Sequence, residues 1–169
     1  NLTSLQAFVV NDNPGLDVDL SIFTNFKDLK HIAMHECGLT GSIPDTMLST
    51  STALLTLLMF KGTLTGTIPD SLFEKPLALH HIDISLGLLS GTLPQSLNSL
   101  TSLKTFLVNN LRLSGTLPGS TAPVGNRRAE KSPFSHLKVL AITRNDFDGD
   151  LTALDSIFDD TAVLETLLL

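Results

Sequence analysis

Three short phrases of this sequence carry residue types that do chemistry. His81, Asp83 and Ser85 alternate along one segment and supply the residue set of a hydrolytic triad. His31 and His35 stand four apart, the spacing that on a helix turns two imidazoles toward one metal ion. Arg144-Asn145-Asp146-Phe147-Asp148-Gly149, with Asp155 six residues on, has part of the carboxylate and glycine rhythm of a calcium loop. Each phrase depends on the element beneath it. A triad needs an oxyanion hole and a strained turn that presents the serine, and neither has a signature here. On a strand the step from His31 to His35 is about 13 Å, too far for one metal. The calcium phrase opens on Arg144, a cation where the first carboxylate belongs. Phosphate-loop, dinucleotide and kinase-loop patterns are absent, and Asp146-Phe147-Asp148-Gly149 shares only its D-F-G letters with kinases. The sequence therefore predicts no catalytic residue, no metal and no cofactor.

The elements that must position these residues are set by an internal repeat. Leu5, Leu29, Leu54, Leu79, Leu103, Leu137 and Leu164 each open a similar phrase, at steps of 24, 25, 25, 24, 34 and 27 residues. Apolar residues follow at +3 and +5: Phe8 and Val10, Ile32 and Met34, Leu57 and Met59, Ile82 and Ile84, Phe106 and Val108, Leu140 and Ile142, Leu167 and Leu169. Two residues apart, these side chains point to one side of a short strand. One such strand cannot bury its apolar side alone, whereas stacked rungs cover one another in a continuous core. Around Leu54 a second register starts at Leu55, but it would put Thr67 where the repeat glycine belongs. The Leu54 start puts Gly66 there, and a one-residue slip reverses every side chain.

A second signature completes the unit: Leu39-Thr-Gly-Ser-Ile-Pro44, Leu64-Thr-Gly-Thr-Ile-Pro69, Leu89-Ser-Gly-Thr-Leu-Pro94 and Leu113-Ser-Gly-Thr-Leu-Pro118. With the strand phrase it resembles the plant-type leucine-rich repeat, L-x-x-L-x-L-x-x-N-x-L-[TS]-G-x-[IL]-P, over essentially the whole chain. More narrowly, Asn13-Pro14-Gly15, Cys37–Asp45 and Gly149–Leu154 resemble the transmembrane-kinase subfamily of auxin signalling. The resemblance implies a single α/β repeat solenoid over 1–169. It would be a right-handed superhelix with a parallel β-sheet on its concave face, short 3-10 or irregular convex segments, and no caps. Residues 119–136 exceed the repeat length by about ten and read as a convex loop insertion, locally basic at Arg127, Arg128 and Lys131.

In that family the ninth position holds Asn, whose side chain bonds the neighbouring turn. Here it is Asn13, Cys37, Gly62, Gly87, Leu111 and Asn145. Cys37 is an accepted substitute and is expected to be a buried structural thiol. Gly62, Gly87 and Leu111 make no such bond. Each could leave a buried polar group unsatisfied, at a cost of about 1–3 kcal/mol, so irregular or hydrated turns are expected across residues 60–112.

Composition narrows the function. The chain has 169 residues, 42% hydrophobic and 17% charged, net charge −6, with one Cys and neither Trp nor Tyr. It is too apolar for disorder, and one Cys builds no disulfide framework. Its acidity and lack of stacking platforms argue against nucleic acid. No apolar run is long enough to span a bilayer, so a membrane enters only through segments outside this chain. Asn1-Leu2-Thr3 fits the N-glycosylation rule, making Asn1 a glycosylation candidate.

What remains is a docking surface. Leu55, Leu58, Phe60, Leu86 and Leu107 converge on neighbouring rungs of the face opposite the core, which also carries His35, with a rim of Lys30, His31, His80, His81, Asp83 and Lys104. An apolar anchor with a polar border is the layout of a protein or peptide interface. The histidines would change charge near pH 6 to 7. The resemblance implies an extracellular or cell-surface segment of a receptor-like kinase or receptor-like protein. Its ligand would be a protein or peptide, with a co-receptor as a further partner, and any kinase domain would lie outside this chain. The alternatives are a secreted inhibitor of a cell-wall hydrolase, similar to polygalacturonase inhibitors, and an intracellular repeat scaffold.

Overall fold

The computed structural model describes residues 4–75, 78–117, 134–148 and 163–169. Asn1, the insertion residues 119–133, Gly149 and Asp155 lie outside the described residues. Among the described residues ten short strands follow one another: β1 (Ala7–Val9), β2 (His31–Ala33), β3 (Thr56–Leu58), β4 (His81–Asp83), β5 (Ser90–Thr92), β6 (Thr105–Leu107), β7 (Arg112–Gly115), β8 (Val139–Ala141), β9 (Asp146–Phe147) and β10 (Thr166–Leu168). Seven of them form one parallel sheet in the order β1-β2-β3-β4-β6-β8-β10, one strand per repeat.

The register follows from the repeat. Phe8, Ile32, Leu57, Ile82, Phe106, Leu140 and Leu167 pair in sequence, so the +3 residues make one row along the solenoid. From Ile32 to Leu140 that row is buried, as are the opening leucines Leu29, Leu54, Leu79, Leu103 and Leu137. Leu57 is buried while Leu58 is only half-buried on the other face, so the Leu54 register holds. The end rungs show why stacking matters: Phe8 is only partly buried and Leu167 is 37% exposed.

Beyond β2, β3, β4, β6 and β8 the chain crosses a second, smaller sheet, β5-β7-β9, extended by the bridges Ser42↔Thr65 and Thr67↔Ser90. Its backbone path runs through Gly41, Gly66, Gly91 and Gly115, all at φ between +75° and +84°, a region that L side chains avoid. Proline then opens the far side. Pro69 and Pro94 immediately precede the 3-10 turns Asp70–Phe73 and Gln95–Ser99, and their carbonyls accept from Leu72 and Leu97. Leu72, Phe73 and Leu97 from these turns close the core from behind the sheet.

The turns after the main strands correct the expectation of irregularity over 60–112. Asp12, Glu36, Lys61, Leu86, Asn110 and Arg144 all adopt φ between +53° and +60°, one per rung. That conformation aims each N–H at the next rung: Asp12 to His35 O, Glu36 to Phe60 O, Lys61 to Ser85 O, Leu86 to Asn109 O and Asn110 to Thr143 O, at 2.8–3.2 Å. The backbone itself carries the turn, and the ninth side chain only adds to it. Asn145 Nδ2 donates to Val108 O and Ile142 O, and Cys37 Sγ donates to Val10 O at 2.8 Å from a buried position. Where Leu111 replaces the asparagine, its Cδ2 packs 3.4 Å from where a β-carbon on Gly87 would stand, so a large residue fills the space beside a missing one.

Candidate docking face

Alternation along each strand sends the third and fifth residues of every repeat to the face opposite the core. Rungs stack about 4.8 Å apart, so equivalent positions form rows. The third-position row reads Ala7, His31, Thr56, His81, Thr105, Val139, Thr166, and the fifth reads Val9, Ala33, Leu58, Asp83, Leu107, Ala141, Leu168. The turn residues Glu36, Lys61 and Leu86 border one side. Lys30, Leu55, His80, Lys104 and Lys138, which precede the strands, border the other.

The polar candidates divide into two groups. His31 and His81 are exposed, two rungs apart with Thr56 between them, and His31 Nδ1 lies 3.3 Å from Thr56 Oγ1. His80 is half-buried with Nδ1 2.7 Å from Ala78 O, and its ring centroid is 6.3 Å from that of His81. Partial burial, and then the charges of His80 and Lys104, hold His81 below the ordinary imidazole pKa. Asp83 is half-buried between Leu58 and Leu107, and its Oδ1 accepts the Ser85 N–H at 3.0 Å. Ser85 is itself buried and its Oγ accepts the Asn109 N–H at 3.0 Å. The serine of the triad-like phrase thus ties two rungs together. His35 turns away from His31 and stacks on Phe60, its Nδ1 buried without a hydrogen-bond partner. Among the described residues no three His, Cys, Asp or Glu side chains gather as metal ligands.

The apolar patch is smaller and more divided than the sequence suggests. Leu55, Leu58, Phe60 and Leu107 are half-buried, and only Leu86, on the turn border, is exposed. The cause is rung spacing: side chains this close cover their neighbours, and Asp83 separates Leu58 from Leu107. Ala33 and Ala141 are buried in the fifth-position row, leaving a dip on either side of the Leu58–Leu107 stretch. Sequence reasoning missed the pairings between rungs. Lys61 Nζ meets Glu36 Oε1 at 2.6 Å, and that bond and charge lower the Glu36 carboxyl. Lys30 Nζ donates to Gln6 Oε1 at 3.2 Å. Their signal was the repeat step itself, which places residues 24 or 25 apart side by side.

A parallel sheet with one strand per repeat, backed by a Gly-Pro second strand and 3-10 turns, decides the architecture. The chain is a leucine-rich-repeat solenoid. Neither a protein-family model nor a curated protein sequence matches it. Solved leucine-rich-repeat structures do, among them plant receptor-kinase ectodomains. The plant peptide hormone receptor RGFR1 in complex with RGF2 is 24% identical with a TM-score of 0.82, covering 99% of this chain and 24% of that one. A TDR receptor is 28% identical with a TM-score of 0.75, covering 86% and 23%. The BIR3–SERK2 complex from Arabidopsis thaliana is 21% identical with a TM-score of 0.63, covering 85% and 69%. The chain therefore spans about a quarter of the length of the first two. No helix among the described residues of the solenoid is long and apolar enough to cross a membrane.

Proposed function

We propose that this solenoid is the ligand-docking segment of an extracellular plant receptor, working by binding and not by catalysis. A protein or peptide lies along the open face of the main sheet, which is concave in this fold, and a co-receptor is a further partner. The observation that carries the reading is the Leu58–Asp83–Leu107 stretch. It places two half-buried apolar side chains and one carboxylate in register at mid-sheet, with dips at Ala33 and Ala141 and borders in which polar residues flank Leu55 on one side and Leu86 on the other. Apolar anchors within a polar rim suit reversible docking. The architecture supports it too: the similar RGFR1 structure holds a peptide hormone, and the BIR3–SERK2 structure is a complex of two proteins.

The test is a defined synthetic peptide library screened against the full chain, with hits re-measured on Leu58→Asp and Leu107→Asp. Hits that dock on this face lose about tenfold or more in affinity, the cost of placing a charge at an apolar anchor. Unchanged affinity in both variants rejects the face as the docking site.

A further inference from the structure

The two borders of the docking face differ in charge, and this difference specifies the ligand. From Lys30 to Lys138 the second and third positions of five successive rungs contain no carboxylate, in a chain whose net charge is −6. They hold Lys30, His31, His80, His81, Lys104 and Lys138 beside the uncharged Leu55, Thr56, Thr105 and Val139. His31, His81, Lys104 and Lys138 are exposed. Lys30 reaches only the neutral Gln6, whereas Lys138 is paired with Glu165. The opposite border is mixed: Asp12, Glu36, Lys61 and Arg144, with Glu36 and Lys61 already paired. Asp83 stands in the apolar row between them and repels an acidic group placed there.

We infer that the face takes an acidic, amphipathic peptide segment, its carboxylates lying along the Lys30–Lys104 border and its apolar side chains over Leu58 and Leu107. This rests on the docking reading and names the chemistry of its ligand. The apolar row is what selects a peptide over a polyuronate, which has carboxylates but no apolar side chains to place there. An extended peptide whose acidic and apolar residues alternate sends the two kinds to opposite sides, matching a border and a row that run parallel along the solenoid.

The experiment uses the full chain and a fluorescent decapeptide of alternating Glu and Leu, with Gln-for-Glu and Lys-for-Glu versions and an oligogalacturonate as controls. The acidic peptide is expected to bind tightest, to weaken as salt is added, and to lose about tenfold on Lys30→Glu with Lys104→Glu, as for two ion pairs within reach of solvent. Neutral or basic versions that bind as tightly overturn the acidic ligand while leaving the docking face standing. An oligogalacturonate that binds as tightly as the acidic peptide overturns the peptide in favour of a carbohydrate. Leu58→Asp without effect on any peptide removes the docking face and this inference with it.

Discussion

The His35 imidazole lies flat on the Phe60 ring across adjacent rungs, with centroids 4.4 Å apart and planes within 4°. Both residues occupy the seventh position of their repeats, where the strand has just ended and the chain enters its left-handed turn residue. The stack covers a phenyl ring that would otherwise stand in water, and it fixes the border of the sheet's open face beside the Glu36–Lys61 pair. Phe60→Leu keeps the apolar volume and removes the stack. It is expected to cost about 0.5–1.5 kcal/mol in urea unfolding. The His35 ring-proton resonances should also move as the ring current disappears. Resonances that stay in place would show that the stack does not persist in solution.

Gly91 and Gly41 separate two reasons for a glycine. Both are left-handed, at φ +84° and +79°. A β-carbon on Gly41 would meet nothing within 4 Å, whereas on Gly91 it would stand 2.9 Å from Thr67 Cγ2, a stiff β-branched methyl on the preceding rung. Gly41→Ala is therefore expected to cost only the left-handed penalty, about 1 kcal/mol, and Gly91→Ala about 2–3 kcal/mol. In a Thr67→Ser background, which lacks that methyl, Gly91→Ala should fall back to the Gly41→Ala value. Equal costs in the parent chain would rule out the steric account.

His81 makes stability depend on pH in a defined sense. Its folded pKa lies below the ordinary value of 6.5, so in the window between the two the unfolded chain binds more protons than the folded one. This site's contribution therefore favours folding above about pH 6.5, weakens as pH falls through the window, and levels off below the folded pKa. His81→Gln removes the titrating group, and unfolding midpoints measured from pH 7.5 to 5 should fall less steeply than in the parent chain. A variant whose midpoints track the parent at every pH would show that the imidazole titrates alike in both states.

Much of the architecture was legible in the sequence because a solenoid repeats one local problem. Leu29, Leu54, Leu79, Leu103 and Leu137 had to be buried wherever the chain turned, and the row Ile32, Leu57, Ile82, Phe106, Leu140 follows from period-two alternation at a fixed offset from each opening leucine. The left-handed residue before each ninth position was not legible. Asp12, Glu36, Lys61, Leu86, Asn110 and Arg144 share no side-chain chemistry, since the backbone bond to the next rung makes the turn.

For the candidate docking face, residue types and repeat numbers alone determined which side chains share the open side of the sheet, because strand alternation admits one answer. How much of each stays in water was decided only by tertiary structure. Rungs about 4.8 Å apart let neighbours cover one another. Ala33 is buried for that reason, Phe60 lies under His35, Ser85 is drawn inside to hold Asn109, and Asp83 is wedged between Leu58 and Leu107. Exposure depends on what lies one coil away, at residues about 25 positions distant in the chain, and no local pattern contains that neighbour.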